Sequence, residues 1–322
     1  MNNLKKVGLT ALAGSLAAIS ANAAELSVSG ATILTYTSED ASEVTGNPFG
    51  MKTNIGFAAS GEVNGYNVSY FVTSADQFAG MSSARLSVDL GDMGTIAFDQ
   101  GSGSGLATID DKTPSAAEEV WDGLGDADNK IGGLVGVAGS SGVFNYINTF
   151  GGIKMNAALR KGGAGNQGDG ASSGSGQGAM DVAFTGNLTD SLALGAGYGT
   201  ESAKDAKDKH STIFANYTFG PATIGYQHSY KEDNDTGGID QASDRYAIAV
   251  NINENLSVSY GIADTEFKNT ATTQNTESVE GIAVAYTMGS MKIAGNRNQV
   301  DHLAGTSGSV DSMTEIALSF AF

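Results

Sequence analysis

The sequence predicts an all-β fold, a transmembrane antiparallel β-barrel of 16 strands closed on itself, and three observations predict it. Beyond the N-terminal stretch the chain alternates nearly everywhere with the two-residue period of a strand that has two different faces. The connections between these stretches alternate strictly between long and short. The last stretch, TEIALSFAF, alternates Ile316, Leu318, Phe320 and Phe322 with small residues and finishes on an aromatic, so something apolar has to cover it.

Taken in order, 25–36 leads through the long gap 37–52 to a second strand at 53–62, and VNG (63–65) turns it into 66–73. The gap 74–82 precedes 83–90, which GDMG (91–94) joins to 95–100. The longest gap, 101–142, leads to 143–150, and GG (151–152) leads to 153–161. After 162–179, which carries the flexible run GGAGNQGDGASSGSGQG, come 180–188, the turn TDS and 192–201. The gap 202–209 is followed by 210–219, GPA (220–222) and 223–230. The gap 231–243 is followed by 244–253, EN (254–255) and 256–267. Finally 268–276 leads to 277–288, GS (289–290) to 291–299, and 300–311 to 312–322. The apolar run IGGLVGV (131–137) is assigned to the longest loop, because one more strand would make the count odd and separate the termini.

Long gaps have at least eight residues and short ones at most four, the pattern of an outer-membrane barrel with both termini on the short-turn side. A soluble sandwich would also alternate, with its large residues inward. Here the second face, as in LALGAGYG (192–199) and LSVSYGIA (256–263), is too small to be charged solvent surface and too polar to be core. Lipid offers no hydrogen bonds, so a spanning sheet has to close. Pro48, Pro114 and Pro221 all fall in connections, where no ladder bond is lost, and Tyr and Phe gather near strand ends.

Lys5 and Lys6 precede VGLTALAGSLAAIS, and Ala21-Asn22-Ala23 offers a small-x-small cleavage site. Residues 1–23 therefore read as a secretory signal peptide and 24–322 as the barrel domain. Removing residues 1–23, with two Lys and no acid, takes the formal charge from −18 to −20. A chain this acidic is expected to repel nucleic acid and attract cations. It contains no Cys, which fits a compartment where disulfides are not relied on.

SVDLGDMGTIAFDQG (87–101) and NYINTFGGIKMNAAL (145–159) carry a resemblance. They look like the strand–turn–strand leading into the constriction loop of sixteen-stranded Gram-negative porins of the alphaproteobacterial kind, and the hairpin leaving it. The likeness covers the mature length. It implies a homotrimer of water-filled barrels in the outer membrane, each with its long third extracellular loop folded into the lumen; that loop is 101–142 here. It also implies that the terminal aromatic, matched by Phe322, is read by the barrel-assembly machinery. The sequence departs from the family at Phe98-Asp99-Gln100, an acid where such porins often place the arginine of Gly-Arg-Gln, and Arg85 is the one basic residue in the first five predicted strands.

The long loop carries Asp110, Asp111, Glu118, Glu119, Asp122, Asp126 and Asp128 against Lys112 and Lys130, a net of −5. The bland reading is a solvated acidic loop; the functional one is a constriction that selects cations. Strand parity puts Arg85, Asp99, Lys154, Arg160, Arg245 and Lys292 on the polar, lumenal face, since a Lys or Arg in lipid costs about 2–4 kcal/mol. Arg85 and Arg160 are expected to form the wall opposite the acidic loop. DGLGDADNK (122–130) has the acid spacing of a structural calcium site at Asp122, Asp126 and Asp128, without a complete ligand pattern; no other cofactor is expected.

Catalysis finds little support. His210 and His302 sit at loops, His228 shares an apolar face with Tyr226 and Tyr230, and no nucleophile–base pair is placed by spacing. The reading is therefore an outer-membrane channel for passive diffusion of small hydrophilic solutes and ions, preferring cations, in contact with membrane lipid and lipopolysaccharide. The alternatives are a substrate-specific channel with a solute-binding constriction, or a structural or adhesin barrel.

Overall fold

The computed structural model describes residues 25–40, 46–74, 76, 80–125, 141–162, 178–202, 207–234, 237–268 and 274–322. They form one closed ring of sixteen antiparallel strands, each paired with its neighbours in sequence. In chain order these are β1 (Glu25–Asp40), β2 (Phe49–Val63), β3 (Tyr66–Ser74), β4 (Met81–Asp89), β5 (Thr95–Gln100), β6 (Ser141–Phe150), β7 (Ile153–Arg160) and β8 (Ala179–Thr189). There follow β9 (Leu192–Ser202), β10 (Lys207–Phe219), β11 (Ala222–Glu232), β12 (Asp240–Asn251), β13 (Leu256–Lys268), β14 (Glu277–Met288), β15 (Met291–Asp301) and β16 (Val310–Ala321).

The seam joins the first and last strands. β1 pairs with β16, Tyr36 opposite Ile316 and Ala31 opposite Ala321. Phe322 extends the ladder, donating its N–H to Gly30 O at 2.8 Å and accepting from Gly30 N at 3.2 Å. No sheet edge is left for water or lipid to solvate, which is what a spanning sheet requires.

Alternation becomes an inside-out distribution of side chains. Leu86, Phe144, Leu159, Ile213 and Ile282 point outward and are exposed. Their inward neighbours Asn145, Ala158, Thr212 and Ala283 are buried. A water-soluble barrel would show the reverse, so the exposed apolar belt is the lipid face. The tight turns carry the residues their geometry demands: Asn64-Gly65 (φ 53° and 84°) and Gly151-Gly152 (φ 57° and 86°) are left-handed at both positions, as a two-residue hairpin needs.

Several strands run further than their apolar alternation. β2 begins at Phe49 rather than 53, and β9 and β10 extend until only 203–206 separate them. Ladder pairing continues past the belt into polar residues that no hydrophobic pattern marks. The extension of β2 brings Lys52 into the wall, and that of β10 puts His210 on its buried inner face rather than in a loop. The expected signal peptide (1–23), Asp126, Asp128, IGGLVGV and nearly all of the Gly/Ser run lie outside the described residues.

Candidate pore constriction

The loop after β5 turns inward at its first residues. Asp99, fully buried on β5, accepts hydrogen bonds from Ser102 N (2.8 Å), Ser102 Oγ (2.5 Å) and Ser104 Oγ (2.5 Å). Arg85, opposite it on β4, lies 3.6 Å away and donates to Ser104 Oγ (2.8 Å) and Asn145 Oδ1 (2.7 Å). A buried carboxylate with a facing guanidinium and three donors is a satisfied latch.

From there the loop follows the inner wall, and inward polar side chains take its backbone groups one after another. Gly105 N donates to Asn156 of β7 at 2.8 Å and Leu106 N to Asp181 of β8 at 3.1 Å. The Gln227 amide of β11 closes a three-point clamp, donating to Ile109 O (2.9 Å) and Asp110 O (3.0 Å) and accepting from Lys112 N (2.7 Å). Asn216 of β10 holds Lys112 O at 2.7 Å, and Ser259 of β13 takes Ala116 N at 2.9 Å. Asn298 of β15 bridges Glu119 O (3.1 Å) and Asp122 O (2.9 Å), and Asp311 of β16 takes Gly125 N at 2.8 Å. The described part of the loop thus spans the wall from β5 round to β16.

Apolar contacts fix it at two places. Ile109 packs on Ala183 and Phe214, and Val120, Trp121 and Leu124 pack against Val279, Val300 and Met313. A fully buried Ile contributes about 1.5–3 kcal/mol. The wall is cut to fit. A Cβ on Gly197 would lie 3.1 Å from Ile109 Cδ1, one on Gly281 would lie 3.1 Å from Val120 Cβ, and one on Gly225 would collide with Pro114. The small face of the strands is the bed of the loop.

Arg245 of β12 is the wall cation that meets the loop at its acids Asp110, Asp111 and Glu119. Its guanidinium lies 4.3 Å from the Trp121 ring centroid, and Nη1 donates to Asp110 O at 2.7 Å. Asp110, Asp111 and Glu119 surround its charge. Burial, then the neighbouring Asp111, pushes the Asp110 carboxyl up to about 6. Burial and a hydrogen bond with Asp111 push Glu119 up to about 7. Burial, then Glu315, raises Asp122 as well, with Lys52 opposing. Glu118 is exposed.

The expected opposing wall is corrected in part. Arg85 is held by Asp99 at the root of the loop, and Arg160 is buried against Glu201 at 2.5 Å, so both charges are spent on local partners. Asp99 for the same reason is a latch beneath the loop rather than a pore-facing acid. Lys154 is exposed on β7, and Lys292 is half-buried on β15. Asp126 and Asp128 lie outside the described residues, and among the described residues no group of three or more His, Cys, Asp or Glu is placed to hold a metal. Lys52, Trp121 and the inward amides Asn216, Gln227 and Asn298 were not singled out from sequence; parity alone would have flagged the amides.

Solved structures with a similar fold include porins and other outer-membrane proteins. A porin refined at 1.8 Å resolution superposes with a TM-score of 0.66 at 14% identity, covering 92% of this chain and all of that one. The trimer form of the outer-membrane protein OmpT of Vibrio cholerae gives 0.66 at 14% identity, covering 93% and 100%. A porin variant from Rh. blastica gives 0.63 at 15%, covering 92% and 100%. No curated protein matches the chain in sequence. The family model for the Gram-negative porin matches residues 8–322, so the chain belongs to that family and is a porin of the outer membrane.

Proposed function

We propose that this porin passes small hydrophilic solutes and ions by passive diffusion and prefers cations. The observation that carries this is the uneven fate of its charges. The wall arginines Arg85 and Arg160 are paired with Asp99 and Glu201, whereas among the described residues the loop's Asp110, Asp111, Glu119 and Asp122 meet Arg245, Lys112 and Lys52, and Glu118 is exposed. An excess of carboxylates beside a narrow aqueous path gathers cations and repels anions. In planar bilayers with a tenfold KCl gradient, the reversal potential is expected to show cation preference around 0.1 M salt. The preference should fade toward 1 M, where the Debye length falls to about 3 Å. Anion preference at 0.1 M would refute it.

The functional particle is a homotrimer on this reading, supported by the trimer form among the similar structures. Light scattering in mild detergent should weigh three chains per particle, and a single chain would count against it.

A further inference from the structure

The wall arginines Arg85, Arg160 and Arg245 are kept from the pore in two different ways. Arg85 lies 3.6 Å from Asp99 and Arg160 lies 2.5 Å from Glu201, so each charge is met by a carboxylate. Arg245 makes no ion pair among the described residues, yet it is only 1% exposed. Its Nη1 donates to Asp110 O at 2.7 Å, and its Nε finds no acceptor among the described residues. What covers it is the Trp121 ring, whose centroid lies 4.3 Å from the guanidinium.

The wall is shaped to lay the ring there. In register with Arg245 stand Gln227 on β11 and Ala263 on β13, neither of them charged. One inward step along, Ala247 faces Gly261, and a Cβ on Gly261 would lie 2.8 Å from Val120 Cγ1. Val120 is therefore pressed onto β12 and β13, and Trp121 beside it packs on the cluster that contains Leu124, Ala263 and Val279. The loop lies on the lumenal side of this wall, so the ring stands where water would otherwise meet the guanidinium. The charged groups around Arg245 are the loop's own Asp110, Asp111 and Glu119.

We propose that Trp121, a neutral residue, is a specificity-determining residue of the channel: it caps Arg245 and denies passing anions contact with that cation. A guanidinium is weakly hydrated and stacks on an aromatic face, so the pair holds without a carboxylate. An anion stopped at the far side of the ring stays roughly 8 Å from the charge. That is about twice the ~4 Å of direct contact, and the attraction falls to half before screening. The loop acids remain open to the path while the wall cation beside them is covered. This inference rests on the cation preference proposed above and names a residue that sets it.

The test is a double-mutant cycle of Trp121→Ala and Arg245→Gln, read as the cation-to-anion permeability ratio in a KCl gradient around 0.1 M. Trp121→Ala is expected to lower the ratio about fivefold at pH 8, the effect of one unit charge brought to ~4 Å in water. At pH 5, where Asp110 and Glu119 are neutral, the same variant should fall below unity. Trp121→Phe keeps a ring over the guanidinium and should restore most of the ratio. With Arg245→Gln already present, Trp121→Ala should change nothing further. An unchanged ratio in Trp121→Ala, or no rescue by Phe, would overturn the proposal. So would an equal fall with and without Arg245, which would mark Trp121 as a packing residue whose loss displaces the loop. The cycle compares variants with one another, so it decides the cap even where the unaltered channel prefers anions, the result that refutes the cation preference itself.

Discussion

Neutralising Asp110, Asp111, Glu118 and Glu119 together, to Asn and Gln, is expected to lower the cation-to-anion permeability ratio several-fold, to unity or below. In the described part of the loop these four and Asp122 are the acids, set against Lys112 on the loop and Arg245 on the wall. Their removal leaves Asp122 alone in the described part of the loop against Lys112, Arg245 and Lys52, so the local charge changes sign. A unit charge at ~4 Å is worth about 1 kcal/mol in bulk water, roughly fivefold in an ion's local population, and more beside protein. The loop's path should survive the change, because Gln227, Asn298 and Asp311 hold its backbone rather than its carboxylates. Conductance at 1 M salt should therefore stay close to that of the unchanged protein. A ratio that does not move would show that these acids do not line the ion path.

Asp99→Ala is expected to loosen the loop without opening the barrel. The change strips Arg85 of its facing carboxylate and frees Ser102 N and the two serine hydroxyls at the loop's root. Breaking one partner out of a buried pair costs about 3–5 kcal/mol, because the remaining charge stays desolvated. The sheet itself is held by pairing all round the ring and should still form. Single-channel records should show frequent closures or substates, and limited proteolysis should cut within 101–125. Asp99→Asn keeps an acceptor for the serines and should fall between the two. Quiet records and an uncut loop in the Ala variant would show that the latch is dispensable.

The barrel was legible because lipid imposes two rules on sequence at once, two-residue alternation and closure, and because turns and loops differ in length on the two sides. Strand ends were less legible, since pairing outlasts the apolar belt, and that is how Lys52 went unassigned. The face carrying Gly197, Gly225, Gly261 and Gly281 was recognised as neither core nor solvent surface. Its purpose lay in a segment distant in sequence, with Ile109, Pro114 and Val120 seated against these glycines. Among the charges, parity placed the arginines on the lumenal face, but pairing needs register. Arg85 stands directly opposite Asp99 across β4 and β5, while Arg160 reaches Glu201 across β8. Arg245, with no such partner beside it, is left to meet the loop.

The most direct test of the loop acids as the selectivity element is the reversal potential of the unaltered channel in a tenfold KCl gradient, read as pH falls from 8 to 5. Both Asp110 and Glu119 have carboxyls raised by burial, to about 6 and about 7, so both are charged at pH 8 and both become neutral on the way down. The cation preference should be greatest at pH 8, fall as pH passes through 7 and then 6, and be largely reduced by pH 5. A ratio that stays flat down to pH 5, or an anion preference at pH 8, would contradict the account.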